Sequence, residues 1–130
     1  MSERNSTFER TARLLASLGG VRAVVVGGGK TGAASARLLL KVGARVDVVD
    51  DADADRVRAG LEKGGLAKDA IDAAEQDGVL RVVGGGIERA VVEGADLIVL
   101  SPGVPRAHAA VAPALSSGKP CVNEVEIAAA

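Results

Sequence analysis

Residues 22–32, "RAVVVGGGKTG", decide the fold of this chain. A short β-branched run leads into three successive glycines, and after Lys30 comes an Ala- and Leu-rich stretch, "TGAASARLLLKV" (31–42). That order reads as strand, tight turn, helix. Gly27, Gly29 and Gly32 match G-x-G-x-x-G: the first glycine permits the turn, the second lets the backbone approach a phosphate, and the third lets the helix pack on the sheet. Glycine is 17 of 130 residues, so chance alone gives roughly 0.3 such matches, and the flanking elements must carry the reading. Gly29-Lys30-Thr31 also looks like the GK[ST] tail of an ATP-binding P-loop. A P-loop needs a glycine five residues before Gly29, where this chain has Val24, and that reading fails.

The pattern repeats outward. "RVDVV" (45–49) predicts a second strand ending at Asp50, with Gly43 placed to close the helix before it. Two charged, Ala-rich stretches (51–65 and 67–78) predict surface helices. "VLRVV" (79–83) predicts a third strand, "GGGIERAVVEG" (84–94) a turn and short helix, "DLIVL" (96–100) a fourth strand. Residues 107–117 have a helical pattern, and "KPCV" (119–122) starts a short fifth strand. Phe8, Ala12, Leu15 and Leu18 predict an amphipathic N-terminal helical extension within residues 1–20, stopped by Gly19-Gly20. Strands alternating with helices predict right-handed crossovers: an α/β, Rossmann-like, doubly wound parallel five-stranded sheet of order 3-2-1-4-5, in a single domain over 21–130. Ligand then belongs at the carboxyl ends of strands one and four, where the strand order reverses.

Composition narrows the partners. Apolar residues make up 48%, but Phe8 is the one aromatic residue, so the core must be Val, Leu, Ile and Ala. Base-stacking platforms for single strands need aromatic rings. A net charge of −1 provides no field for nucleic acid or an anionic membrane. Cys121 is the one cysteine, which suits a reducing cytoplasmic setting, and no signal core or membrane span is visible in the sequence.

The candidate site gathers around the first turn. The backbone N–H groups of Gly29 to Thr31 open a helix and face an anion, Lys30 adds a charge, and Thr31 a hydroxyl. The structural alternative is a glycine turn that only packs. Asp50 stands where dinucleotide-binding proteins place a ribose-binding acid; the alternative is a strand-end cap. Asp51, Asp53 and Asp55 read as a solvated helix start rather than a metal cluster. "SPGVP" (101–105) is a rigid loop entering the same crevice from the fourth strand. His108 reads as a surface residue at a helix start, and Cys121 as a buried, inert thiol.

Together "VVVGGGKTGAASARLLLKVGARVDVVDD" (24–51), "GADLIVLSPGVPRAHAAVAPAL" (94–115) and "GKPCVNEVEIA" (118–128) resemble the N-terminal domain of the Mur ligases, nearest to the branch that adds D-glutamate to UDP-N-acetylmuramoyl-L-alanine. The resemblance covers about residues 20–130, and "ADLIVLSPGVP" is its most specific part. It implies a cytoplasmic, three-domain enzyme of peptidoglycan precursor synthesis. Such enzymes use ATP and Mg²⁺ to make an acyl phosphate that an amino acid attacks, and their first domain holds the UDP part of the substrate. Carried over by position, Lys30 and Thr31 lie at the diphosphate, Asp50 and Asp51 near the uridine, and Gly84 and Gly85 in a turn beside the uracil. Ser101, Pro102 and Gly103 line the crevice, and Asn123 reaches toward the nucleotide-sugar. The chain departs from the family in having Asp51 and Ala52 where a hydroxyl residue and an arginine are common, and Asn123 where glycine is usual. It stops near where the family's GTNGK[ST] ATP loop begins, and "EIAAA" reads as a helix cut short. The expectation is a substrate-anchoring domain, inactive alone, with its central and C-terminal domains missing from this chain. The competing readings are an NAD-dependent dehydrogenase domain of the siroheme-pathway type, which the first turn also resembles, a non-catalytic nucleotide-binding module, and another Mur-type ligase.

Overall fold

A computed structural model of the chain describes residues 21–101 and 103–123. The helix expected at 6–18, Pro102 and the helix expected after residue 123 lie outside the described residues. Five strands form one parallel sheet: β1 (Arg22–Val26), β2 (Arg45–Val49), β3 (Leu80–Val83), β4 (Leu97–Leu100) and β5 (Cys121–Asn123), in the spatial order β3-β2-β1-β4-β5. Five helices connect them: α1 (Gly29–Lys41), α2 (Ala54–Lys63), α3 (Lys68–Gln76), α4 (Arg89–Glu93) and α5 (Ala112–Ser116). The sheet order is the expected one, and the reversal falls between β2 and β4, on either side of β1.

Both faces of the sheet are covered, which is why its central strands read as unbroken apolar runs. On one face Val25, Val46 and Val48 pack with Ala33, Ala36 and Leu39 of α1 and with Val57 and Leu61 of α2. On the other, Val24, Val26 and Ile98 pack with Val92 of α4 and Ala114 of α5. All four residues of β4 are buried. The alternation of side chains along a strand sends Val24 and Val25 to opposite clusters, so a run of valines builds two cores at once.

Three local readings differ from expectation. α1 begins at Gly29, two residues before the predicted start, so the second fingerprint glycine is the first residue of the helix. Residues 107–117 are helical over Ala112–Ser116 alone. Pro113 is the reason: it lacks the N–H that would bond back to Ala109, and it sits where proline is tolerated, in the first helical turn. Tight turns precede it, with His108 N–H bonded to Pro105 O and Val111 N–H to His108 O. His108 therefore lies in a turn, half-buried, its Nδ1 accepting the Ala110 N–H at 3.1 Å, and not at a helix start. Cys121 is likewise half-buried on β5 rather than enclosed.

Candidate functional site

In the turn between β1 and α1, contacts at Gly27 and Gly32 leave no room for side chains. Gly27 has φ +97°, and a β-carbon on it would stand 2.8 Å from Ser101 Cβ. Its N–H donates to Val49 O at 2.8 Å, so the end of β1 stays paired with β2 as the chain turns. Ser101 follows β4 and is 8% exposed; its N–H donates to Val26 O at 3.0 Å and its hydroxyl to Gly27 O at 3.2 Å. The close approach of β1 and the β4 loop is thus a Gly–Ser contact. Gly29 has φ +88° and a β-carbon on it would meet open space, while its own N and Cα face Gly60 of α2, where a β-carbon would stand 3.5 Å from each. Gly32 faces the turn: a β-carbon there would stand 2.5 Å from Gly27 O. The third fingerprint glycine therefore packs the helix against its own entry turn.

The N-terminus of α1 opens at this turn. Gly28 is its N-cap and has no side chain with which to cap the helix N–H groups, and no acidic residue stands in its first turn. Its first N–H groups and the positive end of its dipole are available to an anion. Lys30 and Thr31 are placed by their backbone, in that first turn.

Asp50 stands beside the turn, at the end of β2. Its Oδ2 accepts the Gly28 N–H at 2.6 Å and its Oδ1 the Ala52 N–H at 3.0 Å. The carboxylate joins the first glycine turn to the loop after β2. A third turn supports that loop: Gly85 N–H donates to Ala52 O at 2.8 Å and Gly86 N–H to Asp50 O at 3.2 Å. Gly84 is pressed against the Asp53–Ala54 backbone with no space for a β-carbon. Asp53 caps α2 by accepting the Arg56 N–H at 3.0 Å, and Asp55 lies in that helix's first turn, as a solvated helix start requires.

These elements enclose a crevice of about 500 Å³ at the carboxyl ends of β1, β2 and β4. Of the residues singled out from sequence, it brings together Gly27, Asp50, Asp51, Ser101 and Gly103. Gly84 and Gly85 are not among the residues lining it; they contact the loop after β2 at Ala52–Ala54. Asn123 ends β5 and pairs in register with Leu100, one residue before Ser101. Gly28, Ile87 and Val104 also line the crevice and were missed. Gly28 lies inside the glycine fingerprint, Val104 inside the SPGVP loop, and Ile87 directly after the Gly84–Gly86 turn, and that placement was the available signal. The turn is not an ATP loop: Val24, at the position of the missing P-loop glycine, is a fully buried residue of β1. Among the described residues, no helix is long and apolar enough to cross a membrane.

Comparison with known proteins agrees with this geometry. Residues 21–123 match the family model for the Mur ligase MurD-like N-terminal domain. The chain is 42% identical over 116 residues to the UDP-N-acetylmuramoylalanine–D-glutamate ligase of Syntrophotalea carbinolica, covering 88% of this chain and 23% of that protein. It is 43% identical over 112 residues to the ligase of the same name from Anaeromyxobacter dehalogenans, covering 86% of this chain and 22% of that one. The chain thus spans less than a quarter of the length of these relatives. A solved structure, the Escherichia coli tRNA N6-threonylcarbamoyladenosine dehydratase TcdA, superposes with a TM-score of 0.55 at 22% identity, covering 94% of this chain and 61% of that one. That likeness is one of fold.

Proposed function

This chain belongs to the family of MurD-like N-terminal domains of Mur ligases, and on that premise we propose that it is the substrate-anchoring domain of a MurD-type ligase. Its ligand is the UDP part of UDP-N-acetylmuramoyl-L-alanine. The observation that carries the proposal is the crevice itself: it lies at the topological switch point, lined by Gly28 at the N-terminus of α1 and by two carboxylates, of which Asp50 is bonded to Gly28. The diphosphate takes the N–H groups of Gly29, Lys30 and Thr31. Asp50 and Asp51 stand on the nucleoside side, where ribose hydroxyls and a base N–H are donors. Ser101 and Gly103 line the β4 side of the crevice, and Asn123 lies toward the sugar.

The chemistry belongs to the rest of such an enzyme. ATP and Mg²⁺ activate the substrate carboxylate as an acyl phosphate, and the amino group of D-glutamate attacks it. The residues of this chain contribute by holding the nucleotide end, which fixes the distant carboxylate and lowers the entropic cost of the reaction.

A dinucleotide-binding dehydrogenase is the reading that the same turn would otherwise favour. UDP titration of the wild-type chain and of Gly29→Val tests the proposal. Valine at φ +88° distorts the turn, so UDP affinity is expected to fall at least tenfold, about 1.4 kcal/mol. Equal affinity in the two proteins would remove the phosphate from this turn.

A further inference from the structure

We propose that Asp50 is a positioning residue that couples the anion-binding and nucleoside-binding halves of the crevice, rather than a simple ligand contact. The inference takes its ligand from the nucleotide-binding reading above, but its first readout needs no ligand. Both oxygens of the Asp50 carboxylate already serve the backbone: Oδ2 takes Gly28 N–H at 2.6 Å and Oδ1 takes Ala52 N–H at 3.0 Å. Bonds of this kind, with an ionised acceptor, are roughly twice as strong as neutral ones. They span two separate segments, the β1–α1 turn and the β2–α2 loop.

The turn needs such a restraint. Gly28 lies between two glycines of positive φ, and glycine backbones populate many conformations. Something outside the turn must select the one that aims the α1 N–H groups into the crevice. Two contacts do so. Asp50 holds the Gly28 amide, and Val57 of α2 packs beside it, since a β-carbon on Gly28 would stand 3.2 Å from Val57 Cγ1 and 3.4 Å from Asp50 Oδ2. The Gly84–Gly86 turn then holds the Asp50 and Ala52 carbonyls. The Asp50 side chain fastens the first and second strand ends, and backbone bonds from Gly85 and Gly86 fasten the third to them.

This role has a consequence opposite in sign to plain electrostatics. A carboxylate beside an anion site repels the anion, so neutralising it should strengthen anion binding. If Asp50 sets the turn, neutralising it weakens binding of an anion too small to reach the nucleoside side.

The test is ¹⁵N NMR on the whole chain as wild type, Asp50→Asn and Asp50→Ala. Without ligand, the Gly28 amide proton is expected far downfield in the wild type, and Asp50→Asn should shift Gly28, Gly29 and Ala52 while leaving Val99 in place. Pyrophosphate and uridine are then titrated separately. Pyrophosphate affinity is expected to fall at least fivefold in Asp50→Asn and further in Asp50→Ala. Unchanged or tighter pyrophosphate binding overturns the positioning role, as does a loss confined to uridine, which would mark a direct nucleoside contact. A wild-type chain silent to UDP overturns the nucleotide reading instead. The ligand-free Gly28 resonance still decides the clamp, and its failure to move in Asp50→Asn overturns it. If Asp50→Ala does not fold, the near-isosteric Asn variant carries every comparison.

Discussion

The carbonyl oxygen of Gly27 lies 2.5 Å from the point where a β-carbon on Gly32 would stand. The first and third glycines of the fingerprint are therefore in contact across the turn, and the helix is seated on the carbonyl that ends the strand. Helix propensity alone favours alanine over glycine by about 1 kcal/mol. The contact predicts the reverse for Gly32→Ala: a loss of about 1–3 kcal/mol from overpacking against backbone that cannot step aside. A urea midpoint lowered at unchanged slope would confirm it.

Gly27 carries two separate constraints. Its φ of +97° penalises any side chain, by about 1–3 kcal/mol, and Ser101 Cβ occupies the space a β-carbon needs. Gly27→Ala should be more damaging than Gly32→Ala. Adding Ser101→Gly should restore the contact part and leave the backbone part. A double-mutant cycle measures this, with an expected coupling of about 0.5–3 kcal/mol.

The Asp47 carboxylate is buried on β2, 2.9 Å from Arg81 Nη2 and 3.8 Å from Arg22 Nε. Arg81→Ala leaves a buried charge with its longer-range partner alone. The expected cost is about 1–2 kcal/mol, discounted because the Arg81 side chain is 55% exposed. Asp47→Asn removes the charge that needs a partner and should cost less. Arg22→Ala should cost least of the three. Chemical denaturation with urea, repeated at high salt, orders them, since screening narrows the gap for exposed partners.

Gly84 never touches the crevice, yet an added β-carbon there would collide with the Asp53–Ala54 backbone. Gly84→Ala is expected to displace the β2–α2 loop and weaken UDP binding at least fivefold. Gly103→Ala, in open space on the crevice wall, should leave stability within about 0.5 kcal/mol of wild type. Calorimetric titration paired with thermal unfolding separates the two effects.

Much of this was legible in the chain. β1 and β2 fall on the predicted residues because short valine runs bounded by glycine and by charged residues have sharp ends. The strand order followed from alternation and crossover handedness. Gly27, Asp50 and Ser101 could be placed near one crevice because each directly follows a strand. What could not be read was pairing across distance. The Gly28–Asp50 bond joins residues 22 apart, and the Asp47–Arg81 pair residues 34 apart; each depends on strand register, which no local pattern encodes. For the same reason the tight contact of Gly84 with the Asp53–Ala54 backbone was not visible in the sequence. The stretch at 107–117 has helical periodicity, but Pro113 confines the helix to the residues around and after it.

The most direct test of the central claim is calorimetric titration of the chain with UDP-N-acetylmuramoyl-L-alanine and, separately, with NADH. The account predicts saturable binding of the uridine nucleotide that weakens in Gly29→Val, and no response to NADH. NADH binding with no response to the uridine nucleotide would contradict it and identify the crevice as a dinucleotide site.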